Sequence, residues 1–158
     1  MSKKPKQKVQ IQGKKDVRQG VHVPEGKFPR SGVNTGNTNR EKPVWKFEIF
    51  DHDGPWGKEL ITADHAWSHL YPKLKNYESM RWGEIEKDKK RNHSVPKTNL
   101  IKEARDRLDE LKLNDIDGLF RFRLNGEQRL WGIRDGFSFR ILWWDPDHKI
   151  CPSVLKHT

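Results

Sequence analysis

Arg121, Arg123, Arg129 and Arg140 share one stretch of this chain with Trp131 and Trp144, and His148 follows just beyond. A guanidinium group forks its N–H donors onto phosphate oxygens, and an indole offers a face on which any base can stack. Arginines interleaved with tryptophans therefore suit a nucleic-acid strand. The bland alternative is a solvated strand face. Convergence of the arginines from three neighbouring segments sets the first reading beside it. Two other groups of side chains have a ligand-like look. His65 and His69 stand four apart on an expected helix, but without a zincin's intervening Glu or an obvious third ligand. Asp51, His52 and Asp53 are adjacent, and three successive side chains do not all point at one ion. No metal and no other cofactor is expected. Cys151 is the single cysteine, which excludes an internal disulfide framework.

Strands must hold the arginines. The stretch reads GLFRFRLNGEQRLWGIRDGFSFRILWWDPDHKICP from Gly118 to Pro152. Asn125-Gly126 and Asp135-Gly136 interrupt runs of aromatic, β-branched and Leu residues. These are strong hairpin signals, because tight turns need residues that tolerate positive φ. An antiparallel meander is predicted over 119–124, 127–134 and 137–144. A two-residue Asp135-Gly136 turn pairs Gly132 with Phe139 and Leu130 with Ile141. Two registers compete in the first hairpin. A two-residue Asn125-Gly126 loop buries Arg121 and Arg123 among apolar side chains, at a cost on the order of several kcal/mol. A bulged loop from Leu124 to Gly126 turns them to the other face, and this register is expected. One face then carries Phe120, Phe122, Leu130, Phe139, Ile141 and Trp143. The other carries the four arginines, Trp131 and Trp144.

Upstream, Trp45, Phe47 and Ile49 alternate with Lys46 and Glu48, the period of a half-buried strand over 43–50. DHDGPWG, at 51–57, is a turn. Thr62 or Asp64 caps a helix to about Glu78, with Trp67, Leu70, Leu74 and Tyr77 on one face and a kink or break near Pro72. A short turn from Met80 to Ile85 and a charged loop at 86–93 lead to a second helix, Thr98 to Leu111. The order β-α-α-β-β-β gives an α+β fold: two helices packed on one face of a mostly antiparallel four-stranded sheet, the arginine face left open.

The chain of 158 residues has room for one domain and a tail. Residues 1–42 hold eleven Lys/Arg and three Asp/Glu, so +8 of the net charge of +10 lies there. With Phe28 as its one aromatic, this segment buries too little apolar surface to offset the entropy of ordering. It is expected to be a disordered basic tail, with 43–158 as the domain. The tail is either a solubilising arm or a polyelectrolyte arm on RNA or DNA whose grip weakens with salt. No apolar run is long enough for a membrane span or a signal-peptide core, and a cytoplasmic location is expected.

Element order and meander together resemble the RelE/ParE superfamily of bacterial toxins. The residues are most similar to its YoeB-like branch, whose meander reads Arg-Arg-hydrophobic, a turn, His/Gln-Arg-Leu-aromatic, a further strand and a late His. The corresponding residues are Arg121, Arg123 and Leu124, then Gln128-Arg129-Leu130-Trp131, the strand at 137–144, and His148. Lys149 stands where the family often carries Tyr. The resemblance implies a metal-independent endoribonuclease of a toxin–antitoxin system, cutting messenger RNA through attack of the ribose 2′-OH on the adjacent phosphate. It implies RNA, including ribosome-bound messenger RNA, and an antitoxin protein as partners. Arg129 would stabilise the phosphate, assisted by Arg121, Arg123 or Arg140, and Asp117 would be a carboxylate base. His148 would be the acid or base, since a histidine titrates near neutrality. One branch of the same fold acts on gyrase without this chemistry, so fold does not settle function. Two other readings stand beside it. One is a non-catalytic nucleic-acid-binding protein that uses tail, arginines and indoles. The other is an interaction domain that buries Trp131, Trp143 and Trp144 against a partner.

Overall fold

The computed structural model describes residues 38–153, so the tail expected over 1–42 lies outside the described residues up to residue 37. Residues 38–42, given to the tail on composition, are packed on the body. Thr38–Arg40 form a 3-10 turn, the Glu41 carbonyl accepts the Trp82 N–H at 2.9 Å, and Thr38 Oγ1 accepts from Arg134 at 3.1 Å.

The architecture is α+β. Five strands make one mixed sheet: β1 Val44–Lys46, β2 His93–Pro96, β3 Gly118–Asn125, β4 Gln128–Asp135 and β5 Ser138–Asp145. They lie in the order β1-β5-β4-β3-β2, with β1 parallel to β5 and every other pair antiparallel. The expected count of four strands is thus corrected to five. His93–Pro96, read as the end of a charged loop and the approach to a helix, pairs with the outer edge of β3. Its Pro96 takes the strand's end on an edge, where a missing N–H is tolerated.

Three α-helices accompany the sheet: α1 Tyr71–Ser79, α2 Trp82–Lys87 and α3 Lys102–Glu110. A π-helical stretch, His65–Leu70, runs straight into α1. Pro72 falls in the first turn of α1, at the join with the π-helical stretch, and removes one N–H from the helical ladder there. The expected break is therefore a change of helical pitch ahead of Pro72, the chain staying helical.

The helices do not share one face. The π-helical stretch, α1 and α2 bring Leu70, Leu74, Tyr77, Trp82 and Ile85 onto Phe120, Phe122, Leu130, Phe139, Ile141 and Trp144. α3 brings Ala104 and Leu108 onto Leu119, Trp131, Ile133, Leu142 and Trp143 on the opposite face. The arginine face, expected to be open, is apolar over most of its length and α3 covers it. Asp51 ties this cover down. Its buried carboxylate accepts Arg107 Nε at 2.9 Å and Nη2 at 2.6 Å from α3, and Trp143 Nε1 at 3.0 Å from β5.

Glycine leads both hairpin loops. The two-residue connections are Gly126-Glu127 and Gly136-Phe137, with φ of 45° and 61° at the glycines. Asn125 and Asp135 close the ladders and do not occupy the turns. Each loop thus sits one residue later than predicted, and the pairs become Arg134 with Phe139 and Gly132 with Ile141. The shift changes partners by two, so side chains keep their faces. A bulge at Leu124 supplies the odd residue that sends Arg121 and Arg123 to the face of Arg129, as argued from burial cost. A second bulge, at Leu142, was not foreseen. It places Trp143 opposite Trp131 and Trp144 opposite Leu130, exchanging the two indoles relative to the prediction.

Candidate active site

Cross-strand partners share a face, so the register builds the site in rungs. One rung is His93, Arg121, Trp131 and Trp143 across β2, β3, β4 and β5; the next is Arg123, Arg129 and Asp145. The α3 cluster takes in Trp131 and Trp143 of the first rung, and the arginines lie at its margin toward the β3–β4 hairpin.

The chain after β5 returns over these rungs. Asp145 is fully buried, and its carboxylate gathers three donors. Oδ1 accepts the Lys149 N–H at 2.8 Å, and Oδ2 accepts the Ile150 N–H at 3.1 Å and Trp131 Nε1 at 3.3 Å. The turn so held puts His148 at φ 56°, a left-handed conformation uncommon outside glycine. Its imidazole comes back to Arg121, whose Nη1 lies 3.4 Å from His148 Nε2. A guanidinium only donates, so Nε2 accepts and the ring is the neutral Nδ1–H tautomer.

The electrostatics follow from burial. Arg129 is 5% exposed, with Nη1 donating to the carbonyls of Gly126 at 2.7 Å and Gln128 at 3.0 Å. Burial, then the charges of Arg121 and Arg123, pull its pKa down to about 10. Burial lowers Arg121 as well. The His148 imidazole is held below the ordinary histidine value by burial, then by Arg129 and Arg121. His93 is lowered by burial, then by Arg121. Among the described residues no carboxylate forms an ion pair with Arg121, Arg123 or Arg129. The Nε–H donors of Arg121 and Arg129 are buried without a hydrogen-bond partner. Buried donors without acceptors are costly and are supplied by an anion with several oxygens.

The structure brings together Arg121, Arg123, Arg129 and His148. It does not bring the other sequence candidates to them. Asp117 is exposed one residue before β3, while Arg129 pairs with Arg123 near the other end of that strand, about 20 Å away. Arg140 stands opposite Ile133, under the apolar cover, and its Nε pairs with Glu48 at 2.8 Å. Trp131 and Trp144 are both fully buried, one in each core, and neither has a face for a base. The same burial removes Trp131, Trp143 and Trp144 as a partner-binding patch. The large exposed aromatics are Phe47, Trp67, Tyr71 and Phe137. His65 and His69 sit in edge contact, ring centroids 5.7 Å apart, and the described residues hold no group of three or more His, Cys, Asp or Glu arranged for a metal. His93 went unnoticed because it reaches the site only through pairing of a four-residue edge strand, which its own sequence hardly announces.

Among the described residues no helix is long and apolar enough to cross a membrane. No protein-family model, no curated protein and no solved structure matches this chain.

Proposed function

We propose that this chain is a metal-independent endoribonuclease, toxin-like in the sense of the RelE/ParE resemblance, which cuts RNA by attack of a ribose 2′-OH on the neighbouring phosphate. One observation carries the reading: a neutral imidazole lies against two half-buried or buried guanidinium groups that have no carboxylate partner. A phosphate seated on Arg121 and Arg129 supplies the missing acceptors and displaces the Arg121–His148 contact. His148 Nε2 then has a lone pair for the 2′-OH proton, and its lowered pKa keeps that lone pair available at neutral pH. Arg121 and Arg129 meet the charge that grows on the phosphoryl oxygens. They are fixed on adjacent strands, so little reorganisation accompanies the reaction. The 5′ oxygen leaves as the alcohol with a proton from water, and His148 returns the proton it took to solvent.

The non-catalytic binding alternative used tail, arginines and indoles; it loses base stacking on Trp131 and Trp144, which are buried. The test uses the purified full chain, a structured messenger RNA and EDTA in the buffer. Cleavage leaving 2′,3′-cyclic phosphate ends is expected, slowed by His148→Ala on the order of 10²–10⁴-fold and abolished by Arg129→Ala. Cleavage unchanged by both substitutions, or absent from the wild-type chain with and without ribosomes, overturns the assignment.

A further inference from the structure

β3 runs on past the end of β2, so its outer edge at 123–125 has no strand beside it. Asn92 closes the ladder instead, its Oδ1 accepting the Arg123 N–H at 3.1 Å and the Tyr77 hydroxyl at 3.2 Å. Against this edge lies a cavity of about 280 Å³ lined by Lys73 of α1, Arg91, Arg123, Leu124, Asn125 and Gly126. Three cations line it, and an adjoining cavity shares Lys73, Arg91 and Arg123 and adds Glu84 and Asp88. Arg91 Nε meets Asp88 at 3.1 Å, but Asp88 is not part of the edge cavity's own lining. Arg123 belongs to both places. It stands opposite Arg129 in the second rung, and its exposed side chain reaches the edge cavity, Nε donating to the Gly126 carbonyl at 3.2 Å. Arg121 precedes it by two residues on the same face, about 7 Å along the strand. Positive charge is therefore continuous from Arg121 and Arg129 through Arg123 around the sheet edge to Lys73.

We propose that the edge cavity is a second phosphate subsite, and that the ligand is a single strand of RNA. One backbone phosphate lies on Arg121 and Arg129, and a following one lies among Lys73, Arg91 and Arg123. This deepens the ribonuclease assignment and rests on it for the identity of the first subsite. The lining is too polar for an apolar ligand. A strand passing from one site to the other must turn around the edge of a sheet, which a single strand does readily and a stiff duplex does not.

The test is binding of uncleavable 2′-O-methyl oligonucleotides, a dinucleotide and an octanucleotide, to the full chain by fluorescence anisotropy across a salt series. The wild type is expected to favour the octanucleotide. In Lys73→Ala/Arg91→Ala that preference is expected to shrink about tenfold. The slope of log affinity against log salt for the octanucleotide is expected to fall by about 0.7, the value for one lost phosphate contact on a single strand. A control, Lys46→Ala/Lys102→Ala, removes two exposed charges elsewhere and should change neither quantity. Equal weakening of both probes, or a control that matches the double variant, overturns the subsite. Unchanged length preference in Lys73→Ala/Arg91→Ala overturns it too and leaves the ribonuclease assignment standing. Length-dependent binding that needs Lys73 and Arg91 in a chain that cleaves nothing has the opposite meaning: the subsite stands and the catalytic assignment falls.

Discussion

Replacing Asp145 with Asn probes the device that holds His148. Oδ2 serves two donors, Trp131 Nε1 and the Ile150 N–H, and Oδ1 serves the Lys149 N–H. An amide keeps one oxygen, and its best orientation leaves that oxygen with the two donors. Its NH2 then confronts the Lys149 N–H across a gap of 2.8 Å. One hydrogen bond to a charged acceptor is lost, worth about 1.5–3 kcal/mol, and two become neutral bonds, losing about 0.5–1 kcal/mol each. Relief of the buried charge offsets part of this, so a net loss of about 3 kcal/mol is expected. In urea, with an m-value of about 2 kcal/mol/M, the unfolding midpoint should drop by about 1.5 M. Asp147→Asn is the control, because that side chain is exposed and pairs with Lys149 Nζ at 3.4 Å. Its midpoint should move by an amount equivalent to about 0.5 kcal/mol or less. At a temperature where Asp145→Asn is still folded, RNA cleavage should fall on the order of 10²-fold as the imidazole loses its position. A midpoint for Asp145→Asn equal to that of Asp147→Asn would refute the role given to the carboxylate.

Two further outcomes follow from the charges of the site. His93 and His148 both lie below the ordinary value of 6.5 in the folded chain, so protons bind the unfolded chain more readily. Their contribution to stability is complete above that value and is lost as pH falls through the folded values. Denaturation midpoints should therefore hold between pH 8 and 7 and decline from about pH 6.5 to 5, more steeply than in His93→Gln/His148→Gln; parallel profiles would sink this account. Inorganic phosphate should raise the melting temperature relative to chloride at equal ionic strength, by the equivalent of about 2.7 kcal/mol at a hundred times its dissociation constant. Arg121→Ala/Arg129→Ala should lose that response, and a response retained in the variant would place the anion elsewhere.

Periodicity carried much of the fold because strand faces depend only on parity. Phe120, Phe122, Leu130, Phe139 and Ile141 share a core although every turn sits one residue later than predicted. What periodicity does not carry is a single inserted residue. The Leu142 bulge exchanged Trp143 and Trp144, two residues of one type whose order the sequence leaves undetermined. It also does not say which face a helix takes. Leu119, Ile133 and Leu142 gave the arginine face its own apolar half, and α3 went there. At the site, burial cost was enough to keep Arg121 and Arg123 with Arg129. The return of His148 depended on Asp145, read beforehand only as part of a turn and found as a fully buried carboxylate with three donors. Asp117 was chosen by chain position and Arg140 by its strand face, and distance along the strands removes both.

The parallel pairing of β1 with β5 bears on how the chain is made. Trp45 stands beside Phe139 and packs against Phe122 and Phe139 at 5.4 and 5.7 Å, so its partners leave the ribosome well after it does. Synthesis at roughly 5–20 residues per second leaves β1 waiting roughly 5–20 s for β5. The β3–β4 hairpin and the helices form from local contacts in that interval, while Trp45 still lacks Phe139 beside it. Closure of the sheet is thus a late, non-local event that joins the two ends of the domain. A ribosome stalled before Ser138 holds a nascent chain whose first strand has no place to dock.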